Sequence, residues 1–373
     1  MPRVRMPQAL AAILVLLCVT TGAHAGPVNP NISVIGQPFM RSTGDPAVPD
    51  GKHPRLDVGE TEVVLDAYLN PYSSGVLNAS FSKDGASVEE GYFTVFRGLP
   101  LGLNVKGGKY RVGFGKLNPA HPHTYPFFER PRVLAAYLPG DESLNETGID
   151  VSRLIPIVGD ASITASADYL QGDSFRITRA STGDPHDPLE SGEGDGVDRS
   201  RPAILGRLSS FLMVGQQSGL EIGASAVSGT NNVAARTRTT VLGADMKAKL
   251  WRTASSYLVL QGEGLKLVRE DATWAATTGY SHQTIRPTGG YAFADYYLSP
   301  RYDAGASFEA FRETTAQAAW DKGIGAFAGY SVLEESLVFR GEWKRFVPAH
   351  ADAYNTFTFW VIYSMGPHKA HQF

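Results

Sequence analysis

The sequence predicts an all-β protein, a transmembrane antiparallel β-barrel of about sixteen strands, with fourteen and eighteen as the neighbouring even counts. Three observations lead there. Apolar and polar side chains alternate through segments of about ten to fifteen residues, and period two is the mark of sheet. Short and long polar connections alternate between those segments. Beyond an apolar leader, no stretch of the 373 residues resembles the run of about twenty apolar residues that a membrane-spanning helix needs. Strands of soluble sandwiches usually run to about five or six residues. Strands twice that length, with aromatics near their ends, suit a barrel that turns apolar side chains to lipid and polar ones to a wet lumen.

The N-terminal stretch "MPRVRMPQALAAILVLLCVTTGAHA" carries two arginines, an apolar run from Ala9 to Val19, and small residues ending in Ala23-His24-Ala25. That is the pattern of a cleavable export signal, so residues 1–25 read as a signal peptide and 26–373 as the barrel. The run is too short to span a bilayer. Cys18 is the one cysteine, and it falls in the leader. The exported chain therefore has no route to disulfides, cysteine-metal sites or a cysteine nucleophile. The leader holds two of the 34 basic residues and none of the 37 acids. The remainder of the chain has no basic excess to suggest a nucleic-acid partner.

The strands can be placed one by one. In "SLVFRGEWKRFV", Leu337, Phe339 and Trp343 share one parity and Arg340, Glu342 and Lys344 the other. In "TTVLGADMKAKLW", Leu242, Ala244 and Met246 oppose Asp245, Lys247 and Lys249. "AILGRLSSFLMV" sets Ile204, Leu208 and Leu212 against Arg207 and Ser209. Glu263 falls on the polar face of "SYLVLQGEGLK", and Asp303 and Glu309 on that of "RYDAGASFEAF". The expected strands lie near 31–40, 60–70, 74–83, 88–98, 104–116, 146–156, 159–171, 202–215, 217–229, 236–251, 253–268, 286–298, 300–313, 320–332, 335–347 and 352–366. The last ends the barrel with Phe357, Phe359, Val361 and Tyr363 toward lipid. A tail ending in Phe373 comes after it, readable as an assembly signal.

Tight turns near 215–219, 251–256, 298–302 and 333–336 alternate with longer connections near 172–201, 229–236, 268–286, 313–320 and 347–352. Outer-membrane barrels alternate in this way, with short periplasmic turns and long external loops. In that register segment 117–145 is the third external loop. Its text, "NPAHPHTYPFFERPRVLAAYL", spends Phe127, Phe128, Val133, Leu134 and Tyr137 where a solvated loop would spend polar residues. Folding into the barrel would bury them and bring Glu129, Arg130 and Arg132 to a pore constriction. Packing on a neighbouring subunit is the alternative. The acidic loop 172–201, with Asp184, Asp187, Glu190, Glu193, Asp195 and Asp198 among Gly and Pro, reads as a solvated external loop.

The strand "GGKYRVGFGKLN", the adjoining "HPHTYPFFERP" and the later "ETGIDVSRLIP" together resemble the porin O/P (phosphate-selective porin) superfamily. So do the opening "NPNISVIG" and the closing "GPHKAHQF". The resemblance implies a sixteen-stranded barrel, compatible with a homotrimer, whose third loop enters the pore. Phosphate selectivity in that family rests on a dense basic ladder. The lumen-facing cations read here are Lys109, Arg111, Arg207, Lys247, Lys249, Arg340 and Lys344. They are matched by Glu62, Asp66, Asp168, Glu221, Asp245, Glu263, Asp303, Glu309 and Glu342. Electrostatic anion selection needs one sign to dominate, so that specificity does not carry over.

Catalytic signals are thin. There is no Gly-x-Ser-x-Gly elbow, and the histidines read as loop or tail residues rather than members of a strand-borne pair, so no enzymatic activity is expected. His121 and His123 flank Pro122, and His368 and His371 stand three apart. Each pair is half a zinc site but lacks a neighbouring carboxylate within its motif, so hydrogen-bonding roles are favoured, and no cofactor is expected. The function these readings imply is an outer-membrane channel for passive diffusion of small hydrophilic solutes or ions. Its expected partners are outer-membrane lipid and the barrel assembly machinery. The contrasting reading is a non-conducting binding or structural barrel, plugged by 117–145 and metal-linked through the loop and tail histidines.

Overall fold

The computed structural model describes residues 30–140, 144–157, 159–177, 200–275, 277–315, 319–333 and 336–367. Residues 1–25, the acidic residues of 181–198, His368, His371 and Phe373 lie outside these. The chain forms a closed barrel of sixteen antiparallel strands. The first is β1, in two runs, Asn31–Gly36 and Phe39–Thr43, and β2 likewise comprises Arg55–Asp57 and Thr61–Asn70. Then come β3 (Ser73–Ser82), β4 (Gly85–Val95), β5 (Asn104–Arg111), β6 (Asn145–Pro156), β7 (Ala161–Leu170) and β8 (Ala203–Val214). Next are β9 (Ser218–Asn232), β10 (Thr237–Trp251), β11 (Tyr257–Ala275) and β12, which comprises Gly279–Ile285 and Thr288–Ser299. The last four are β13 (Tyr302–Arg312), β14 (Trp320–Leu333), β15 (Leu337–Val347) and β16 (Tyr354–Met365). Closure comes from β16 pairing with β1, from Val34 opposite Met365 to Thr43 opposite Thr356. No free edge is left, as a lipid setting requires.

The interruptions have local causes. Pro38 and Pro287 lack the N–H a ladder needs, yet their carbonyls still accept from Val361 and Leu267, each at 3.0 Å. The break in β2 sits at Gly59, which has φ +64° and donates to Asp57 Oδ1 at 2.9 Å. The expected long connection near 268–286 is instead a hairpin. Arg269 pairs with Ile285 and Ala275 with Gly279, so β11 and β12 run on beyond their neighbours. His282 therefore lies on a strand, not in a loop.

Alternation divides the wall as expected over most of the barrel. On β16, Tyr354, Thr356, Thr358, Trp360 and Ile362 are buried inside, while Phe357 and Phe359 are exposed outside. Lys109 is the exception to the charge assignment. It pairs with Gly91 on the outer face beside exposed Phe93 and Ile149, and its Nζ donates to the Val88 carbonyl at 2.7 Å. Tyr110 and Lys106 hold the inward parity of β5. Arg111 turns inward as well, because the strand leaves the wall there and the neighbouring β4 carries a bulge that buries both Glu89 and Glu90.

Strand β5 ends at Arg111, short of the expected 116. Val112 N–H bonds Leu144 O at 2.9 Å, Phe114 N–H bonds back to Val112 O at 2.8 Å, and Gly115 takes φ +63°. A Cβ on Gly115 would lie 2.1 Å from Glu263 Oε2, so only glycine passes this point. Residues 112–140 then run inside the barrel, and Leu144 is buried there with them. This segment carries one short helix, α1 (Arg132–Tyr137), entered from Pro131 and ended where Leu138 N–H bonds Leu134 O at 2.9 Å.

The apolar residues of the segment are buried as a core within the lumen. Val112, Phe114, Val133, Leu134 and Leu144 are fully enclosed, packed with Leu205, Val227, Val241, Leu265, Leu267 and Phe311 of the inner wall. Lumen-facing positions toward the rim of the long connections, from β8 to β13, are thus apolar rather than wet. Phe128 meets Trp360 of β16 edge-on at 5.4 Å.

Candidate functional site

Alongside the inward segment lies a cavity of about 840 Å³. Its lining carries charges of both signs. Arg207 on β8, Lys247 and Lys249 on β10, and Lys116 at the root of the segment form one wall. Glu62 and Asp66 on β2, Glu90 on β4, Asp150 on β6 and Asp168 on β7 line the cavity too, with Lys106 and Arg111 of β5 among them. Asp168 sits beside the basic stretch, opposite Leu205 of β8, and Asp295 of β12 also lines the cavity. Counter-ions temper the basic side: Arg207 makes a two-pronged pair with Asp245 at 2.6 and 2.9 Å, and Lys116 Nζ lies 2.6 Å from Glu221. Aromatic rings steady the outlying lysines. Lys106 stands 5.0 Å from the Tyr92 and Tyr110 ring centres, and Lys249 stands 4.4 Å from that of Tyr257, within cation–π range.

The segment is tied to the wall nearly all round. At its root Glu263 Oε1 accepts the backbone N–H groups of Lys116 and Leu117, each at 2.8 Å, and the Tyr291 hydroxyl at 2.6 Å. On β15, Glu342 accepts Phe128 N–H at 3.1 Å. Arg340, paired with Asp303 at 2.8 Å, also donates to Pro126 O at 3.0 Å. Glu309, which pairs with Lys344 at 2.7 Å, accepts Arg132 N–H at 2.6 Å. Glu263, Arg340, Glu342 and Lys344 therefore face inward without lining the cavity: the first three hold the segment directly, and Lys344 pairs with Glu309, which holds it.

Glu129, Arg130 and Arg132 do not line it either. Glu129 pairs with Arg41 of β1. Arg130 is turned into the segment and donates to Asn118 Oδ1 at 2.8 Å. Arg132 lies over the Phe346 ring at 4.0 Å, with Asp45 at 3.6 Å. The charges that meet the cavity beside the segment are Lys116, Arg111 and the two histidines. Alternation alone hides Lys116, because it extends β5 through that position.

His121 and His123 close the last side. His121 Nε2 lies 2.9 Å from Glu90 and Nδ1 lies 3.1 Å from Glu62, whose other oxygen is 3.0 Å from His123 Nδ1. Arg111, 2.6 Å from Glu89, completes the cluster. Burial opposes a charge on His121, but hydrogen bonds to Glu62 and Glu90 outweigh it and push the imidazole up to about 9. The ring is thus cationic at neutral pH and latches segment to wall. Among the described residues no three or more His, Cys, Asp or Glu side chains are arranged to hold a metal ion. His-Pro-His was a visible signal; its partners, Glu62 on β2 and Glu90 on β4, distant in the chain, were not.

No family model matches the chain. It is 31% identical over 264 residues to an uncharacterised protein of Aquifex aeolicus (strain VF5), a match covering 68% of this chain and 54% of that protein. The chain thus spans about half the length of the curated relative it matches. Among solved structures it is similar to the outer membrane channel DcaP of Acinetobacter baumannii, with TM-score 0.60, 11% identity, and 92% and 99% of the two chains covered. It is similar to an anion-selective porin from Comamonas acidovorans at TM-score 0.57 and 10% identity, over 91% and 100% of the chains. The trimer form of OmpT, an outer membrane protein of Vibrio cholerae, gives TM-score 0.55 and 13% identity over 91% and 100%. At such identities the likeness is one of architecture, and that architecture is the bacterial outer-membrane barrel.

Proposed function

We propose that this protein is an outer-membrane channel for passive diffusion of small hydrophilic solutes, narrowed by the segment 112–144. The observation that carries the reading is the cavity of about 840 Å³ inside a closed barrel, lined by charged side chains of both signs. A lining of mixed sign admits small hydrophilic solutes and ions of either charge, with selectivity set by local excess. The resemblance to the porin O/P superfamily agrees with the inward third loop. It supplies no phosphate selectivity, because the cations of the wall are interleaved with carboxylates. In this reading the long-connection rim faces the exterior, the leader directs export, the assembly machinery and membrane lipid are partners, and a homotrimer is the expected assembly.

One observation favours the second reading, a barrel that does not conduct: the enclosed apolar packing of Phe114, Val133 and Leu134 against the inner wall. Planar-bilayer recording separates the two. Discrete steps from the wild type that enlarge on deleting residues 120–140 are the expected result for a channel. A silent wild type that conducts only after the deletion would establish the plugged barrel. Within the channel reading, Lys247→Gln with Lys249→Gln should move the reversal potential in a salt gradient toward cation preference. An unchanged potential would remove the basic wall from the permeation path.

A further inference from the structure

On the outer wall, away from the cavity, three cations stand together near the rim of the long connections. Arg312 of β13, Lys322 of β14 and Arg345 of β15 all have the outward parity and are exposed. Arg312 pairs across the ladder with Trp320, Lys322 with Ala310 and Val347, and Arg345 with Ile324 and Asn355. Each cation is thus the diagonal neighbour of the next, at about 7–8 Å between Cα atoms. Lys266 of β11, opposite Leu242 and also outward and exposed, extends the group by two strands.

Their depth is set by the aromatic rings. The Arg312 guanidinium lies 5.3 Å from the Trp320 ring centre. Ten residues further along β14, Tyr330 stacks on Tyr302 at 5.1 Å. Ten residues at about 3.3 Å each, tilted by about 40°, span about 25 Å, the height of the apolar band of an outer-membrane barrel. Trp320 and Tyr330 therefore mark its two edges. Between them the outer face presents Phe308, Ile324 and small residues such as Ala326 and Ala328. The cations sit at the upper edge, and those just below it can extend their charged ends to the headgroup level.

Counter-charge from the protein is scarce there. Among the described residues no ion pair engages Arg312, Lys322, Arg345 or Lys266. Glu313, next in the chain to Arg312, is turned to His350 at 3.3 Å. Glu270, the acid of the same face, stands four residues beyond Lys266 on the hairpin extension. On the opposite half of the barrel Lys109 is the outward cation near this level, so the group is local rather than a general belt. Cations held at a hydrocarbon edge without a described counter-charge favour anionic groups at that depth, and lipid phosphates provide them.

We infer that the outer face of β11–β15 is a binding surface for a phosphorylated glycolipid of the outer leaflet, its phosphates bridging Arg312, Lys322 and Arg345. The inference rests on the outer-membrane placement with the long connections outward. The test uses the full barrel refolded in detergent, with lipid A as probe and its dephosphorylated form as control. Retention is read by native mass spectrometry, and insertion is read separately by protease protection in vesicles. Wild type should retain lipid A over the control. Substituting Arg312→Gln, Lys322→Gln and Arg345→Gln should weaken retention by roughly two orders of magnitude, at about fivefold per cation. Lys109→Gln should leave it unchanged. A barrel that inserts but holds both lipids equally, or whose triple variant retains lipid A, overturns the surface alone. A barrel that fails to insert overturns the membrane placement with it.

Discussion

Glu263→Ala should loosen the inward segment at its root and raise channel current, because three donors lose one acceptor at once. The Lys116 and Leu117 N–H groups and the Tyr291 hydroxyl all converge on Oε1 of a side chain that is 5% exposed. Each buried donor left without a partner costs about 1–3 kcal/mol, so the two backbone groups alone amount to about 2–6 kcal/mol. Part of that returns, since the variant no longer buries a carboxylate. Glu263→Gln is the informative partner, as its amide oxygen can occupy the Oε1 position and keep the acceptor. The expected result is larger, noisier single-channel steps and faster proteolysis within 112–144 for alanine, and wild-type behaviour for glutamine. Equal protection of the segment in both variants would show that the apolar core alone holds it.

Alkaline pH should release the other side of the segment. His121 is charged when latched, its value raised to about 9 by Glu62 and Glu90 against the cost of burial. Once the segment is free it reverts to the ordinary 6.5 or so. A value higher in the latched state means that latching takes up a proton. The stabilisation is complete below about pH 6.5 and fades as pH rises through 9. Its full size is of order 3 kcal/mol. Glu89, Glu90, Glu62, Arg111 and His123 are the charged or titratable groups around the ring. A fluorophore on a cysteine introduced at Thr124 should gain mobility between pH 8 and 10 in the wild type. His121→Gln should be mobile at both, without the transition. Since that variant keeps every lysine, a transition persisting in it would assign the effect to lysine titration instead.

The barrel was legible because its rule is local. A side-chain period of two, punctuated by turns, needs only neighbouring residues, and it placed fifteen strands, the closing run Tyr354–Met365 among them, while the even count of such barrels called for the first, at 31–40. It failed where a strand does something that alternation cannot express. Lys109 went to the wrong face because β5 leaves the wall at Arg111 beside a bulge at Glu89. The connection near 268–286 became a hairpin because polar residues at a rim need not be loop: above the membrane, both faces of a strand can be wet. Lys116 was missed because the turn inward at Gly115 depends on the approach of Glu263, 148 positions later.

The wall is therefore written in the order of residues: period two over spans long enough for a bilayer, and an apolar segment that no solvent-facing loop would carry. Only the folded chain settles what that segment touches. Glu129, Arg130 and Arg132, expected at the constriction, are drawn to Arg41, Asn118 and the aromatic ring of Phe346, while His121 reaches carboxylates on β2 and β4. Alternation tells a residue which face it occupies, but the partner across a lumen is chosen by strand register and by how the segment packs. Those are sums over contacts distant in the chain, and no short stretch of it contains them.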